Sequence, residues 1–327
     1  MGDGQPAVGE HPSSHQGSSL HEHDHGAARA FRWSIVLNSG LTALQLVIGF
    51  GFGSLALIGD ALHNLGDVVG LALGWGAERL SRRPARGRFT YGFGRSTHLA
   101  SLLNALLIFS AGVVVVVEAI QRLFDPVPLV STPVAWAAAA GIAINLLSAR
   151  LFGHDHHHDL NQRAAVLHLL TDAAVSVAVL ISALLVGATG WLWLDPLTAI
   201  GVGVAVLLSA WGLLREALAL NLDAVPPGID LARVEAVLLG LPGVLAVENL
   251  HVWGLSTSRV ALTAHLHVGP HSRSAAEGAA EATVDASLLM LARERLAAIG
   301  IRNSTLQVEQ LPTPSAEGTP EAAGRPR

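Results

Sequence analysis

The sequence predicts a membrane-embedded all-α domain of six transmembrane helices, followed by a small cytosolic α+β domain. Three observations carry this. Six apolar runs, each long enough to cross a bilayer, occupy residues 33–214. Arginines gather in alternate connections between those runs. After Asn221 the periodicity changes to short helices and alternating strands.

Composition sets the class. The chain is 51% hydrophobic and only 14% charged, with a mean hydropathy of +0.47. A soluble chain carries about 25% charged residues. Cysteine is absent, so neither a disulfide framework nor a thiolate metal site is available. The net charge of -5 and pI near 6.3 argue against a nucleic-acid partner. All the basic residues are arginines, which with abundant Ala and Gly fits a high-GC bacterial source. Residues 1–30 are polar and include His21, His23 and His25; they lack the basic start and early apolar core of a secretory signal and read as a disordered tail.

The spans follow in order. Residues 33–53 are uncharged and long enough for a hydrocarbon core of about 30 Å. The second span, 55–77, is apolar apart from Asp60, His63 and Asp67. The third covers 99–117, and the fourth, 133–152, ends near Arg150. The fifth, 164–187, holds His168 and Asp172, and the sixth, 196–214, begins at Pro196. The connection 79–95 carries Arg79, Arg82, Arg83, Arg86, Arg88 and Arg95 and no Asp. Arg29, Arg32, Arg150, Arg163 and Arg215 fall on the same side, and only Arg122 on the other. The positive-inside rule then places both termini in the cytoplasm of a multi-pass inner-membrane protein. The transport domain is expected over 31–221.

The second domain is expected over 222–310. Pro226-Pro227-Gly228 marks a linker. Residues 230–241 have the spacing of an amphipathic helix, and 244–253 and 259–268 read as strands. Residues 275–299 form a helix closed by Gly300, and 304–310 a third strand. The order α-β-β-α-β is that of a two-layer domain. The Pro- and Ala-rich tail 311–327 is expected to be disordered.

The chemistry lies in spans two and five. His63 and Asp67 stand four residues apart, and so do His168 and Asp172. Residues at i and i+4 share a helix face. Two such helices facing each other offer two imidazoles and two carboxylates, an N2O2 set suited to tetrahedral Zn2+. An Asp in mid-span costs about 2.5–3.5 kcal/mol on insertion scales and usually marks an ion path. A hydrogen-bonded link between spans is the structural alternative. Three readings of Asp60 stand open: an outer ligand, a water-relay acid, or a residue near the membrane surface. Gly153-His154-Asp155-His156-His157-His158-Asp159 lies between spans four and five. His154, His156, His157 and His158 either gather metal at the entry or form a merely polar connector.

These residues resemble the cation diffusion facilitator family, in its zinc-exporting branch. The motifs are Gly59-Asp60-Ala61-Leu62-His63-Asn64-Leu65-Gly66-Asp67, His168-Leu169-Leu170-Thr171-Asp172, Phe89-Thr90-Tyr91-Gly92 and Leu250-His251-Val252-Trp253. The resemblance covers about residues 30–310. It implies a cytosolic ferredoxin-like domain, a homodimer, and proton-driven export of divalent metal. By that match His63, Asp67, His168 and Asp172 are the transport ligands, with Zn2+ and H+ as the exchanged ions. It also implies a regulatory zinc site at His251, His265 and Glu309, and an ion pair between Arg95 and Asp223. Two features depart from the family pattern. The 79–95 loop has no Asp, Glu or His, and His98 follows Arg95-Ser96-Thr97, where its role stays open.

Two other functions use the same cluster: a membrane metalloenzyme and a metal sensor. Four protein ligands leave no open position for catalytic water, and no HExxH motif is present. No signalling motif supports a sensor. A GxxxxGK[ST] phosphate loop is also missing, which argues against an ATP-driven pump. The expectation is therefore a transporter without an organic cofactor.

Overall fold

The computed structural model of the chain describes residues 19–151, 160–269 and 279–310. Eight helices and three strands follow one another among these residues: α1 (Ser19–Phe52), α2 (Leu55–Ser81), α3 (Ser96–Phe124), α4 (Ser131–Leu151), α5 (Leu160–Thr189), α6 (Leu194–Asn221), α7 (Leu231–Leu239), β1 (Val244–Ser256), β2 (Arg259–Val268), α8 (Ala279–Ala298) and β3 (Asn303–Gln310). The first six are long and apolar enough to cross a membrane. His154, His156, His157, His158 and the tail 311–327 lie outside the described residues.

One sequence expectation changes. Helix α1 begins at Ser19, so residues 19–30 are helical and not part of a disordered tail. Leu20, Glu22, Ala27, Ala28, Arg29 and Ala30 are good helix formers, and no proline interrupts the segment. Apolarity located the span, but it does not limit the helix.

The chain divides into two compact units, and the division runs within α2, α3 and α6 rather than at the linker after Asn221. The first unit takes in residues up to Leu71 and Leu106–Trp211. Its core is made of Leu55, Leu57 and Ile58 of α2 packed with Val115 and Ala119 of α3, Val134 and Ala138 of α4, and Val179 and Ala183 of α5. Small residues let the helix backbones approach closely, which is how association is achieved where the solvent is itself apolar. Val47, Phe50 and Leu208 stay about 70% exposed, an apolar surface that fits lipid and not water.

The second unit contains Ala72–Ala105 and the chain from Gly212 onward. Its sheet has the order β1-β2-β3, with β1 antiparallel to β2 and β2 parallel to β3. The parallel pair requires a crossover, and α8 supplies it. Leu262, Ala264, Leu266 and Val268 of β2 are buried against Leu238 of α7 and Leu296 of α8. Thr263, His265 and His267 therefore lie on the opposite face. Asp230 caps α7 by accepting from the Ala232 amide at 3.0 Å. Asn249 adopts φ 51° where β1 shifts register between Glu248 and His251; asparagine tolerates this left-handed conformation.

Three contacts hold the start of α3 within this unit, two of them to the β1–β2 hairpin. Arg95 pairs with Asp223. The Thr257 amide donates to Thr97 Oγ1 at 3.2 Å. The buried ring of His98 lies so close to Gly254 that a Cβ there would sit 2.7 Å from its Cε1. Only glycine fits at that point of β1. His98 thus fills space between α3 and β1, and its carbonyl accepts from Asn221 Nδ2 at 3.1 Å.

Candidate metal site

Helices α2 and α5 run antiparallel, so the leading residue of each i,i+4 pair faces the trailing residue of the other. His63 Nε2 lies 3.5 Å from Asp172 Oδ1, and His168 Nε2 lies 3.0 Å from Asp67 Oδ2. Asp172 also reaches back to His168, with Oδ2 3.6 Å from Nε2. Four ligands at zinc bond lengths of about 2.0–2.2 Å stand about 3.4 Å apart along each tetrahedral edge. The observed separations have that size. One ligand atom each from His63, His168 and Asp172 lies within 4.8 Å of the other two, and Asp67 joins through His168. The two imidazole rings stand 5.9 Å apart, nearly edge to face.

Burial is graded across the cluster. The Asp172 side chain is 1% exposed and His63 20%, whereas Asp67 and His168 are 37% and 45% exposed. The open side therefore lies toward the C-terminal end of α2 and the N-terminal end of α5. Neither oxygen of Asp172 accepts a hydrogen bond among the described residues. A buried carboxylate set against two imidazoles suits a cation held among them, since buried charge is otherwise expensive.

Asp60 is fully buried within the helix bundle. Its Oδ2 accepts from Gln45 Nε2 at 2.8 Å and from Ser176 Oγ at 3.1 Å. It does not belong to the group of converging ligand atoms among the described residues. Gly141 of α4 makes room for this contact, because a Cβ there would sit 2.8 Å from Ser176 Oγ and 3.2 Å from Gln45 Nε2. Gln45 and Ser176 had no signal as single polar residues in apolar runs.

On the outer face of the tail sheet, His265 Nδ1 lies 3.0 Å from Glu309 Oε1. His251 does not join them: it is exposed, stands opposite Thr263, and has no hydrogen bond or ion pair among the described residues. His267 does, with Nε2 3.4 Å from Glu248 Oε2 and 3.9 Å from Glu309 Oε2. The sequence reading did not single out His267 or Glu248. The available signal was strand alternation, since His265 and His267 are two apart and must share a face.

A profile of the cation efflux transmembrane domain matches residues 32–220, and one of the cation efflux protein cytoplasmic domain matches residues 226–286. The chain belongs to the cation efflux family. Among its relatives is the cation efflux system protein CzcD of Alcaligenes sp. (strain CT14), 37% identical over 75% of this chain and 78% of the relative. The zinc transporter ZitB of Escherichia coli (strain K12) is 36% identical over 80% of this chain and 84% of its own length. The cadmium, cobalt and zinc/H(+)-K(+) antiporter of Bacillus subtilis (strain 168) is 29% identical over 75% of this chain and 80% of its own. This cation efflux protein is thus a multi-pass membrane transporter and not an enzyme, which sets aside the metalloenzyme reading.

Proposed function

We propose that this cation efflux protein exports Zn2+ from the cytoplasm in exchange for protons, holding the metal between α2 and α5 at His63, Asp67, His168 and Asp172. The observation that carries this is the cross-pairing of the two His-Asp pairs at tetrahedral-edge spacing. The relatives named as zinc transporter and as zinc/H(+)-K(+) antiporter support the choice of ion and of coupling. Imidazole nitrogen with carboxylate oxygen suits a borderline-soft dication.

Coupling follows from the ligand chemistry. Zn2+ binds neutral imidazole and ionised carboxylate. Once the metal has left, the same groups accept protons, so a site opening alternately to each face moves the two ions in opposite directions. The exposed edge at Asp67 and His168 is the loading side: it lies toward the C-terminal end of α2, the end from which the chain runs on into the arginine-rich and hence cytoplasmic connection 79–95. In sealed vesicles, imposing a pH gradient should accelerate zinc movement, and zinc should drive proton counterflow. Zinc flux indifferent to the gradient, with no proton movement, would discard the coupling.

The domain division expected from the sequence supports this scheme, with transport over 31–221 and a cytosolic domain over 222–310. That cytosolic domain joins two copies in a homodimer. Regulatory zinc binds its outer sheet face at His265 and Glu309, and His251 faces the second copy. The histidines His154, His156, His157 and His158 gather zinc before it enters. Replacing all four with alanine should raise the zinc concentration needed for half-maximal uptake while leaving the maximal rate nearly unchanged. Uptake titrations on the variant and the parent protein check this.

A further inference from the structure

The two oxygens of Asp60 are treated unequally. Oδ2 accepts two hydrogen bonds, from Gln45 Nε2 and Ser176 Oγ, which fills both of its lone pairs. Oδ1 accepts none, although it is buried. The amide that serves Oδ2 has an unpaired atom of its own, because Gln45 Oε1 has no donor. Two buried acceptors are therefore left over on the two partners of one hydrogen-bonded pair. An ionised carboxylate makes this worse, since it has only acceptors to offer. A single hydrogen on Oδ1 satisfies both atoms at once. Carboxylic acid and primary amide then close a ring, N–H of Gln45 to Oδ2 and O–H of Asp60 to Oε1.

We infer that Asp60 is a neutral carboxylic acid paired head to head with Gln45, and that it is a positioning residue for transport rather than a metal ligand. The pair joins α1 to α2, and Ser176 extends it to α5. Ser176 stands one turn beyond Asp172, and Asp60 one turn before His63. The strut therefore fixes the spacing of the two helices that bear the metal ligands. Gly141 lets α4 close over it. The neighbouring titratable groups are His63 on its own helix and Asp172 on α5. From α1 the strut receives Gln45, which carries no charge.

The test is the pair of substitutions Asp60→Asn and Asp60→Ala in the full-length protein in vesicles. Asparagine reproduces the hydrogen-bonding pattern of a neutral acid, with a carbonyl for Gln45 Nε2 and Ser176 and an N–H for Gln45 Oε1. Asp60→Asn should retain zinc uptake with its dependence on the pH gradient unchanged. Asp60→Ala orphans Gln45 and should lower uptake by about tenfold or more. Infrared difference spectra of wild type minus Asp60→Asn at neutral pH should show the carbonyl stretch of a protonated carboxylic acid. The activity arm rests on the transport reading, but the infrared band does not, so the two can fail separately. Absence of the band, or a folded Asp60→Asn protein that carries no zinc, overturns the inference.

Discussion

Asp172→Ala should abolish zinc transport while leaving the protein in the membrane. Asp172 is the most buried of the four ligands and the one that approaches both imidazoles. Its removal takes away the carboxylate that closes the cluster on its inner side. Loss of a residue that merely orients a ligand already weakens metal affinity by about 10–100-fold, and loss of a ligand should exceed that. Asp67→Ala should be the milder change, because Asp67 is 37% exposed and meets the cluster through His168. Water has access there to take the vacant position. Zinc binding to the detergent-solubilised protein, followed by calorimetry, and uptake into vesicles should both rank wild type above Asp67→Ala and Asp67→Ala above Asp172→Ala. An Asp172→Ala protein that transports at the parental rate would remove the α2–α5 site from the mechanism.

What could be read in the sequence was whatever is local or periodic. The spans announce themselves by apolarity, the four ligands by i,i+4 spacing, and the tail domain by its α-β-β-α-β order, and each has its counterpart among the described elements. What escaped was pairing between distant residues. Ser176 lies 116 positions from Asp60, and Asp195 lies 141 from Ser54, so no window along the chain contains either contact. His267 is a different case. Its strand and its alternation were visible, but the resemblance directed attention to His251 and His265. The early start of α1 escaped because hydropathy detects the membrane-spanning part of a helix and not its polar extension.

Asp195→Ala should produce the largest loss of stability of any single change outside the metal cluster. Asp195 is buried in the first turn of α6, where the sequence suggested only a boundary before Pro196. Its carboxylate covers the N-terminus of α2. Oδ1 accepts from Ser54 Oγ at 2.6 Å, and Oδ2 accepts from the Leu55 amide at 2.7 Å and the Ala56 amide at 3.4 Å. Ser54 Oγ in turn accepts from the Leu57 amide at 3.1 Å. The first amides of a helix have no partner within the helix, and a negative charge there also meets the positive end of the helix dipole. Asp195 is buried, so water does not readily replace these bonds. Alanine leaves the Leu55 amide and the Ser54 hydroxyl without acceptors, at about 1–3 kcal/mol each. Ser54→Ala removes the cap on the Leu57 amide and one of the donors to Asp195, and should cost about 1–2 kcal/mol. Asp195→Asn should fall between them, since its carbonyl replaces one oxygen while its NH2 confronts a backbone N–H. Thermal unfolding in detergent should follow that order, and transport should decline with it because α2 carries His63 and Asp67. A melting temperature unchanged in Asp195→Ala would show that α2 is anchored by its packing against Val115, Val134 and Val179 alone.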